Sequence, residues 1–347
     1  MRSTPTIGNG WNLRNIVLIA ALVAWFGAAC PAALAADDVS IGMVRLPTPV
    51  FVALDQGFFA AEGLNVTPVF SQNGAEIVPE LATGKIDVAL ASPGASLFNA
   101  LAIGVDARIV ADPWVAPRVA GSNDYAFIDV RKDLDAGGAF KPRDAKGLTF
   151  AITAHGQMTE LFAAAYLQSG GLSLADVHVV ELPFPEMEAA MRNHAIDLAS
   201  SIEPYPTLGA RSGASVKAAG ITTLMPGYVQ AVLMYGNRIV TQRRDIGLRF
   251  MRAYQRANAF LLHDLATRSG RSELARIYQK YIPLDDPSVY EETGLPAGPA
   301  DLSVDVDGPF ALRWQMLQYV AQGLVKKAPD LKAAVDNSFV KLLPRTK

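Results

Sequence analysis

Gly84-Lys85-Ile86-Asp87-Val88-Ala89, closing on Ala91-Ser92-Pro93, has a counterpart downstream in Ala195-Ile196-Asp197-Leu198-Ala199, closing on Ser201-Ile202-Glu203-Pro204. Each reads as a short apolar strand that hands over to a helix opened by proline. What precedes each is also alike. Before the first come a helix, Gly63-Leu64, a strand and a helix; before the second come a helix, Gly171-Leu172, a strand and a helix. Strands alternating with helices of this length make βαβ units and a mainly parallel sheet. The repeat is read either as a duplicated lobe or as the generic likeness of any two α/β segments. Both readings give two α/β lobes.

Toward the N-terminus, Val39–Arg45 alternates into a strand. Thr48 caps a helix with Pro49 at its first position, and Val50, Phe51, Leu54, Phe58 and Phe59 follow at helical spacing until Gly63. Leu64–Phe70 is β-rich, a polar loop at 71–74 leads into a helix ending at Gly84, and Ile86–Ala91 is a strand. Ser92-Pro93 opens a helix to Ile103, and Val105–Asp112 is the next strand. Pro113–Asn123 is loop-like. The second run begins at Tyr125, with strands over Gly147–Thr153, Val177–Leu182 and Ile196–Ser200 and helices over Gln157–Gln168, Glu186–Asn193 and from Pro204. Beyond a strand at Ala231–Tyr235 only helices are expected, over Thr241–Leu262, Glu273–Tyr281, Pro309–Gln322 and Leu331–Leu343. A tail without strands packs on an existing lobe, most simply the first. This places lobe one at 36–115 plus 231–347 and lobe two at 116–230, joined by two crossings that form a hinge.

Arg2 and Arg14, the apolar run Ile16–Ala29 and then Ala33-Leu34-Ala35 have the order of a secretory signal peptide over residues 1–35, and the run is short for a membrane span. Its removal takes the net charge from −2 to −4. The single cysteine, Cys30, lies inside this segment; the alternative is a lipid anchor there, although Gly27-Ala28-Ala29 lacks the usual large aliphatic residue upstream. A processed chain without thiols excludes disulfide, thiolate-metal and cysteine-nucleophile chemistry. The charge balance provides no basic excess for a nucleic-acid partner. No phosphate-loop, zinc-protease or nucleophile-elbow motif occurs, and His155, His178, His194 and His263 are dispersed, so no metal, cofactor or catalytic residue is expected.

In open α/β sheets a ligand sits beyond the carboxyl ends of the strands. Here those ends carry Arg45 and Thr48, Asn73, Ser92, Gly156 and Gln157, and Glu203. Several lead into helix N-termini, whose free N–H groups favour an anion, with Arg45 able to add a charge-assisted bond. Each has a plainer reading: Thr48, Ser92 and Glu203 as helix caps, Arg45 as a surface residue, and Tyr205, Tyr228 and Phe184 as packing.

Pro49–Leu64 (PVFVALDQGFFAAEGL), Gly84–Ala89 with Ala91-Ser92-Pro93, and Ala151-Ile152-Thr153 with Gly156, Thr159, Glu160 and Glu203-Pro204 together resemble the solute-binding proteins of ABC transporters of the nitrate/sulfonate/taurine type. The resemblance spans nearly the whole processed chain. It implies a type II periplasmic-binding-protein fold, two Rossmann-like lobes around a ligand cleft with a helical C-terminal tail. It also implies hinge closure and an ABC permease as partner; the helix termini and Arg45 point to a small, anionic solute, the signal peptide to a periplasmic location, and a monomer is expected. Ligand contacts carry over to Thr48, Asn73, Ser92, Gly156, Gln157 and Glu203; Arg45 and Tyr228 are added from the residues themselves. The same superfamily holds thiamine-pyrimidine-precursor synthases, so an enzyme acting on a pyrimidine or quinone precursor is the alternative, with a ligand-sensing subunit a third reading. The synthases' cysteine-rich motif is absent here. The Pro113–Asp124 loop, with Trp114 and Arg118, departs from the family pattern and leaves the ligand open.

Overall fold

The computed structural model describes residues 35–118, 123–135, 137–264, 267–294 and 297–341, together with Met1 and Ser3. Met1–Ala35 and Ala36–Lys347 are two compact units, and the expected signal peptide and Cys30 lie outside the described residues. No described helix is long and apolar enough to cross a membrane.

β1 (Asp37–Val44) runs parallel to β2 (Leu64–Ser71) on one side and to β3 (Val88–Ala91) on the other. Val39, Ile41 and Met43 are buried on one face of β1. On the other face Gly42 leaves room for a helix: a Cβ there would lie 2.4 Å from the Ile86 side chain and 3.2 Å from that of Ile77. The covering helices are α1 (Pro49–Asp55), α2 (Phe58–Ala61), α3 (Gly74–Ala82) and α4 (Ala95–Ala102). The helix expected from Pro49 to Gly63 is split into α1 and α2 because Gly57 adopts φ 67°, a left-handed turn that glycine enters without a Cβ penalty.

The sheet continues through β10 (Val229–Gly236) to β4 (Ala107–Val115), in the order β2-β1-β3-β10-β4. A second sheet, β7-β6-β8-β5-β9, is built from β5 (Ala126–Arg131), β6 (Thr149–Ile152), β7 (His178–Glu181), β8 (Leu198–Ile202) and β9 (Ser215–Gly220). Its helices are α5 (Met158–Ser169), α6 (Phe184–Arg192), α7 (Tyr205–Ser212) and α8 (Ile221–Leu224). The sheets are mixed rather than mainly parallel. β10 pairs antiparallel with β3 and β4, and β5 pairs antiparallel with β8 and β9. Each antiparallel strand directly follows a crossing, so each enters its sheet from the opposite end.

The repeated Ile-Asp has a structural role in both sheets. Asp87 Oδ2 accepts from the Ser40 N–H at 3.0 Å and the Ser40 hydroxyl at 2.9 Å, pinning β1. Asp197 Oδ2 accepts from the Thr149 N–H at 2.9 Å, pinning β6, and its Oδ1 takes the Arg131 guanidinium at 2.6 Å.

The tail begins with α9 (Arg244–Asp264) and α10 (Arg268–Tyr281), which pack on the helices of the first sheet; Phe51 stacks on Tyr281 at 4.7 Å and Phe59 meets Phe250 at 4.8 Å. α11 (Val289–Glu292) reaches the second sheet's helices as well. There Arg211 of α7 bonds Asp286 at 2.7 Å and Glu292 at 2.6 Å. α12 (Leu312–Ala321), α13 (Leu331–Ala334) and α14 (Ser338–Lys341) complete the described chain. The helix expected over Leu331–Leu343 is broken at 335–337, where Val335 bridges to β4.

A neutral cleft between the sheets as candidate functional site

The two crossings lie side by side: the Ala116 N–H donates to the Tyr228 carbonyl at 2.9 Å, and the Gly227 N–H to the Ala116 carbonyl at 3.1 Å. Trp114, at the end of β4, packs its ring 5.0 Å from that of Tyr125, whose hydroxyl lies 3.4 Å from Gln230 Oε1. From this floor a cleft of about 630 Å³, its open mouth included, extends between the sheets. The first sheet and its loops line it with Val44, Leu46, Thr48, Gln72, Asn73, Gly74, Ile77, Leu90, Ser92, Trp114, Gln230 and Ala231. The second contributes Thr153, Gln157, Met158, Thr159, Phe184 and Ile202.

The N-termini of α1, α3, α5 and α6 meet at this lining. Thr48 caps α1, accepting from the Val50 N–H at 3.4 Å, and Asn73 caps α3, accepting from the Ala75 N–H at 2.9 Å. Ser92 behaves differently from the expected cap. α4 starts at Ala95 with Gly94 as its N-cap, and the Ser92 hydroxyl is buried without a hydrogen-bond partner among the described residues.

The loop ahead of α5 is held from within. The Thr153 N–H donates to the Thr159 hydroxyl at 3.0 Å. Glu160 accepts from the Gly156 N–H at 2.8 Å and meets His155 Nδ1 at 2.6 Å, and the bond to Glu160, more than any other influence, raises the His155 pKa above its ordinary value. Gly156, at φ 69°, turns its carbonyl to accept from the Ala95 N–H of α4 at 2.8 Å. Gln157 then reaches the first sheet's loops. Its amide lies 3.0 Å from where a Gly74 Cβ would stand and 2.4 Å from where a Gly94 Cβ would stand.

Of the eight residues singled out in the sequence, Thr48, Asn73, Ser92 and Gln157 line the cleft. Gly156 is not among the described lining residues and precedes Gln157, which is. Arg45 is exposed, its guanidinium 3.9 Å from the Phe70 ring centroid and donating to the Tyr281 carbonyl at 3.3 Å. Tyr228 is fully buried beneath the crossing. Glu203 points into the body of the second lobe, where Lys217 Nζ lies 2.6 Å away and the Thr207 hydroxyl 3.0 Å. Burial outweighs Lys217 there and raises the Glu203 pKa; burial also pushes the adjacent Asp129 carboxyl well above its ordinary range, reinforced by the charge of Glu203. Trp114 near the end of β4, Thr153 just after β6, Gln230 near the start of β10 and Thr159 in the first turn of α5 also line the cleft. Thr153, Thr159 and Trp114 stood in the sequence only as parts of longer segments, and Gln230 had no signal of its own.

Among the described residues, none that lines the cleft is Asp, Glu, Lys, Arg, His or Cys. Nor do the described residues contain a group of three or more His, Cys, Asp or Glu placed to hold a metal ion. The cleft offers helix N-termini, hydroxyls, amides and one indole N–H, set among aliphatic and aromatic walls. Such a site binds by hydrogen bonds and apolar contact, with side-chain amides and backbone dipoles in place of formal charge.

Residues 33–277 match a known family over most of the chain. The protein belongs to the NMT1-like family. No relative is found among curated protein sequences. Among solved structures, the alkanesulfonate-binding protein SsuA from Xanthomonas axonopodis pv. citri, bound to MOPS, is similar at TM-score 0.69 and 20% identity, covering 86% of this chain and 98% of that one. The periplasmic nitrate-binding protein NrtA from Synechocystis PCC 6803 is similar at TM-score 0.65 and 16% identity, covering 86% and 84%. The desulfurization enzyme DszB is similar at TM-score 0.61 and 13% identity, covering 88% and 98%. The fold is therefore that of periplasmic binding proteins, and it is shared by an enzyme; fold by itself leaves the activity to the site.

Proposed function

We propose that this NMT1-like protein is an exported, monomeric solute-binding receptor of an ABC importer, which captures a small organic solute between two lobes and delivers it to a membrane permease. The lobes are residues 36–115 with 231–347, and 116–230. The observation that carries the reading is the cleft itself: both sheets line it, and the Gly156–Ala95 hydrogen bond joins the loop before α5 of the second sheet to α4 of the first. Such contacts exist only when the walls are close, so a solute touching both favours the closed arrangement by its differential affinity. The names of SsuA and NrtA point the same way.

The solute is proposed to carry an oxygen-rich head, neutral or singly negative. Helix N-termini attract such a group, whereas a cation would meet no carboxylate and a dianion no side-chain counter-charge. Apolar walls from Leu90, Phe184, Met158 and Ile202 favour an organic body over an inorganic ion. An enzyme reading is disfavoured because the described lining sets no histidine, carboxylate or amine beside its Ser and Thr hydroxyls to activate one as a nucleophile or to move a proton.

A thermal-shift screen of organic sulfonates, carboxylates, neutral aromatic alcohols, amines and nitrate tests this. A bound solute at 100 times Kd stabilises by about 2.7 kcal/mol. Oxygen-headed organic solutes should raise the melting temperature and contract the particle in small-angle scattering. A response to amines or nitrate alone, or turnover of a bound compound, would overturn the reading.

A further inference from the structure

Trp114 is 5% exposed, lines the cleft, and its indole N–H has no hydrogen-bond partner among the described residues. An N–H left buried and unpaired forfeits its hydration without return, which native proteins avoid unless a partner arrives. Trp114 stands in register with Ala231 on β10. On the other side of β10, Ala91 pairs with Val232, which sets Ser92 at the level of Ala231. Ser92, Ala231 and Trp114 thus form one row across three strands, roughly 10 Å from end to end at the usual ~4.8 Å strand spacing. All three line the cleft. Two buried, unpartnered polar groups therefore flank one alanine methyl on the cleft floor, with Leu90 and Ile202 supplying apolar wall.

We propose that Trp114 is a specificity-determining donor, and that the solute is an organic molecule with an acceptor oxygen at each end of an apolar body, one met at Ser92 and the other by the indole N–H of Trp114. This rests on the receptor reading and narrows it. Trp114 also packs at a tilt of 58° against Tyr125 across the crossing, so the bond places the solute against the segment about which the lobes would turn.

The test compares para-acetylbenzenesulfonate with para-isopropylbenzenesulfonate, which differ by a carbonyl oxygen in place of a methyl group. Calorimetry on the purified protein should give tighter binding for the acetyl compound by roughly two- to tenfold, the range for one neutral hydrogen bond. The preference should vanish in Trp114→Phe. In tryptophan-¹⁵N spectra of the unsubstituted protein, the indole resonance of Trp114 should move downfield with the acetyl compound and not with the isopropyl one. Equal affinities with an unmoved indole resonance would overturn the role of Trp114 and leave the receptor reading standing. Failure of both probes to bind, while other oxygen-headed solutes shift melting, would overturn the two-ended solute. Failure of every such solute would sink the receptor reading itself.

Discussion

The Gly156 carbonyl accepts a hydrogen bond from the Ala95 N–H at 2.8 Å, joining the loop before α5 in the second sheet to the first turn of α4 in the first. Gly156 holds φ 69°, and a Cβ there would lie 2.9 Å from the Ala95 Cβ. Alanine at 156 would meet both a backbone penalty of about 1–2 kcal/mol and a clash with Ala95, which on the proposed receptor reading would be confined to the closed arrangement. Gly156→Ala should therefore weaken solute binding by about tenfold or more, on the scale of 1.4 kcal/mol per decade. Calorimetry reads the affinity, and small-angle scattering should show a less contracted liganded particle. Unchanged affinity and contraction would mean that this contact plays no part in closure.

Ser92 and Thr48 make a contrasting pair. The Ser92 hydroxyl has no partner among the described residues, so Ser92→Ala should leave the stability of the unliganded protein within about 0.5 kcal/mol while weakening solute binding several-fold. Thr48 caps α1, and Thr48→Ala should cost roughly 1 kcal/mol of stability in urea unfolding. A destabilised Ser92→Ala protein with normal affinity would reverse this assignment.

The interior of the second lobe sets a pH dependence. Burial raises the pKa values of Asp129 and Glu203 above their ordinary 3.8 and 4.5. The folded state then holds protons that the unfolded state has released, and stability falls as pH rises through the raised values. Urea midpoints should decline upward from the ordinary carboxylate range, and Asp129→Asn should flatten the decline. A midpoint that instead rose with pH over that interval would contradict the assignment.

Lys217 provides the compensating charge. Lys217→Met leaves Glu203 buried without its cation and should destabilise by about 3 kcal/mol, at the lower end for a broken buried pair because Lys217 is partly exposed. Adding Glu203→Gln should restore much of that loss, and a double-mutant cycle measures the coupling.

His155 acts on the same loop as Gly156. Its pKa is raised chiefly by the bond to Glu160, so the stability this pair adds is present below the imidazole's ordinary value and is lost as pH rises through the elevated one. Because the imidazole is largely exposed, the effect on solute affinity should be no more than a few-fold, weaker on the alkaline side. His155→Gln should remove that dependence in calorimetry across the same pH interval.

Much of the architecture was legible in local pattern. Pro49 after Thr48, the Gly63-Leu64 and Gly171-Leu172 breaks, and the two Ile-Asp strand starts all act over a few residues, where hydrogen bonding and side-chain period decide the outcome. The antiparallel β5 and β10 were not legible as such, since strand direction depends on the end of the sheet from which the chain re-enters. β9, with the sequence SVKAAG, escaped notice because a short edge strand carries little apolar signal.

The amino-acid sequence alone determined that this protein has two α/β runs with helix N-termini at strand ends, because those features arise from neighbours along the chain. Only the tertiary structure decided which of those ends face one another. It put Glu203 against Lys217 inside a lobe, left Arg45 outside, freed the Ser92 hydroxyl from capping, and brought Trp114 to the cleft floor beside Ala231. Each of these depends on contacts between residues distant in sequence, and so does the absence of formal charge from the cleft lining.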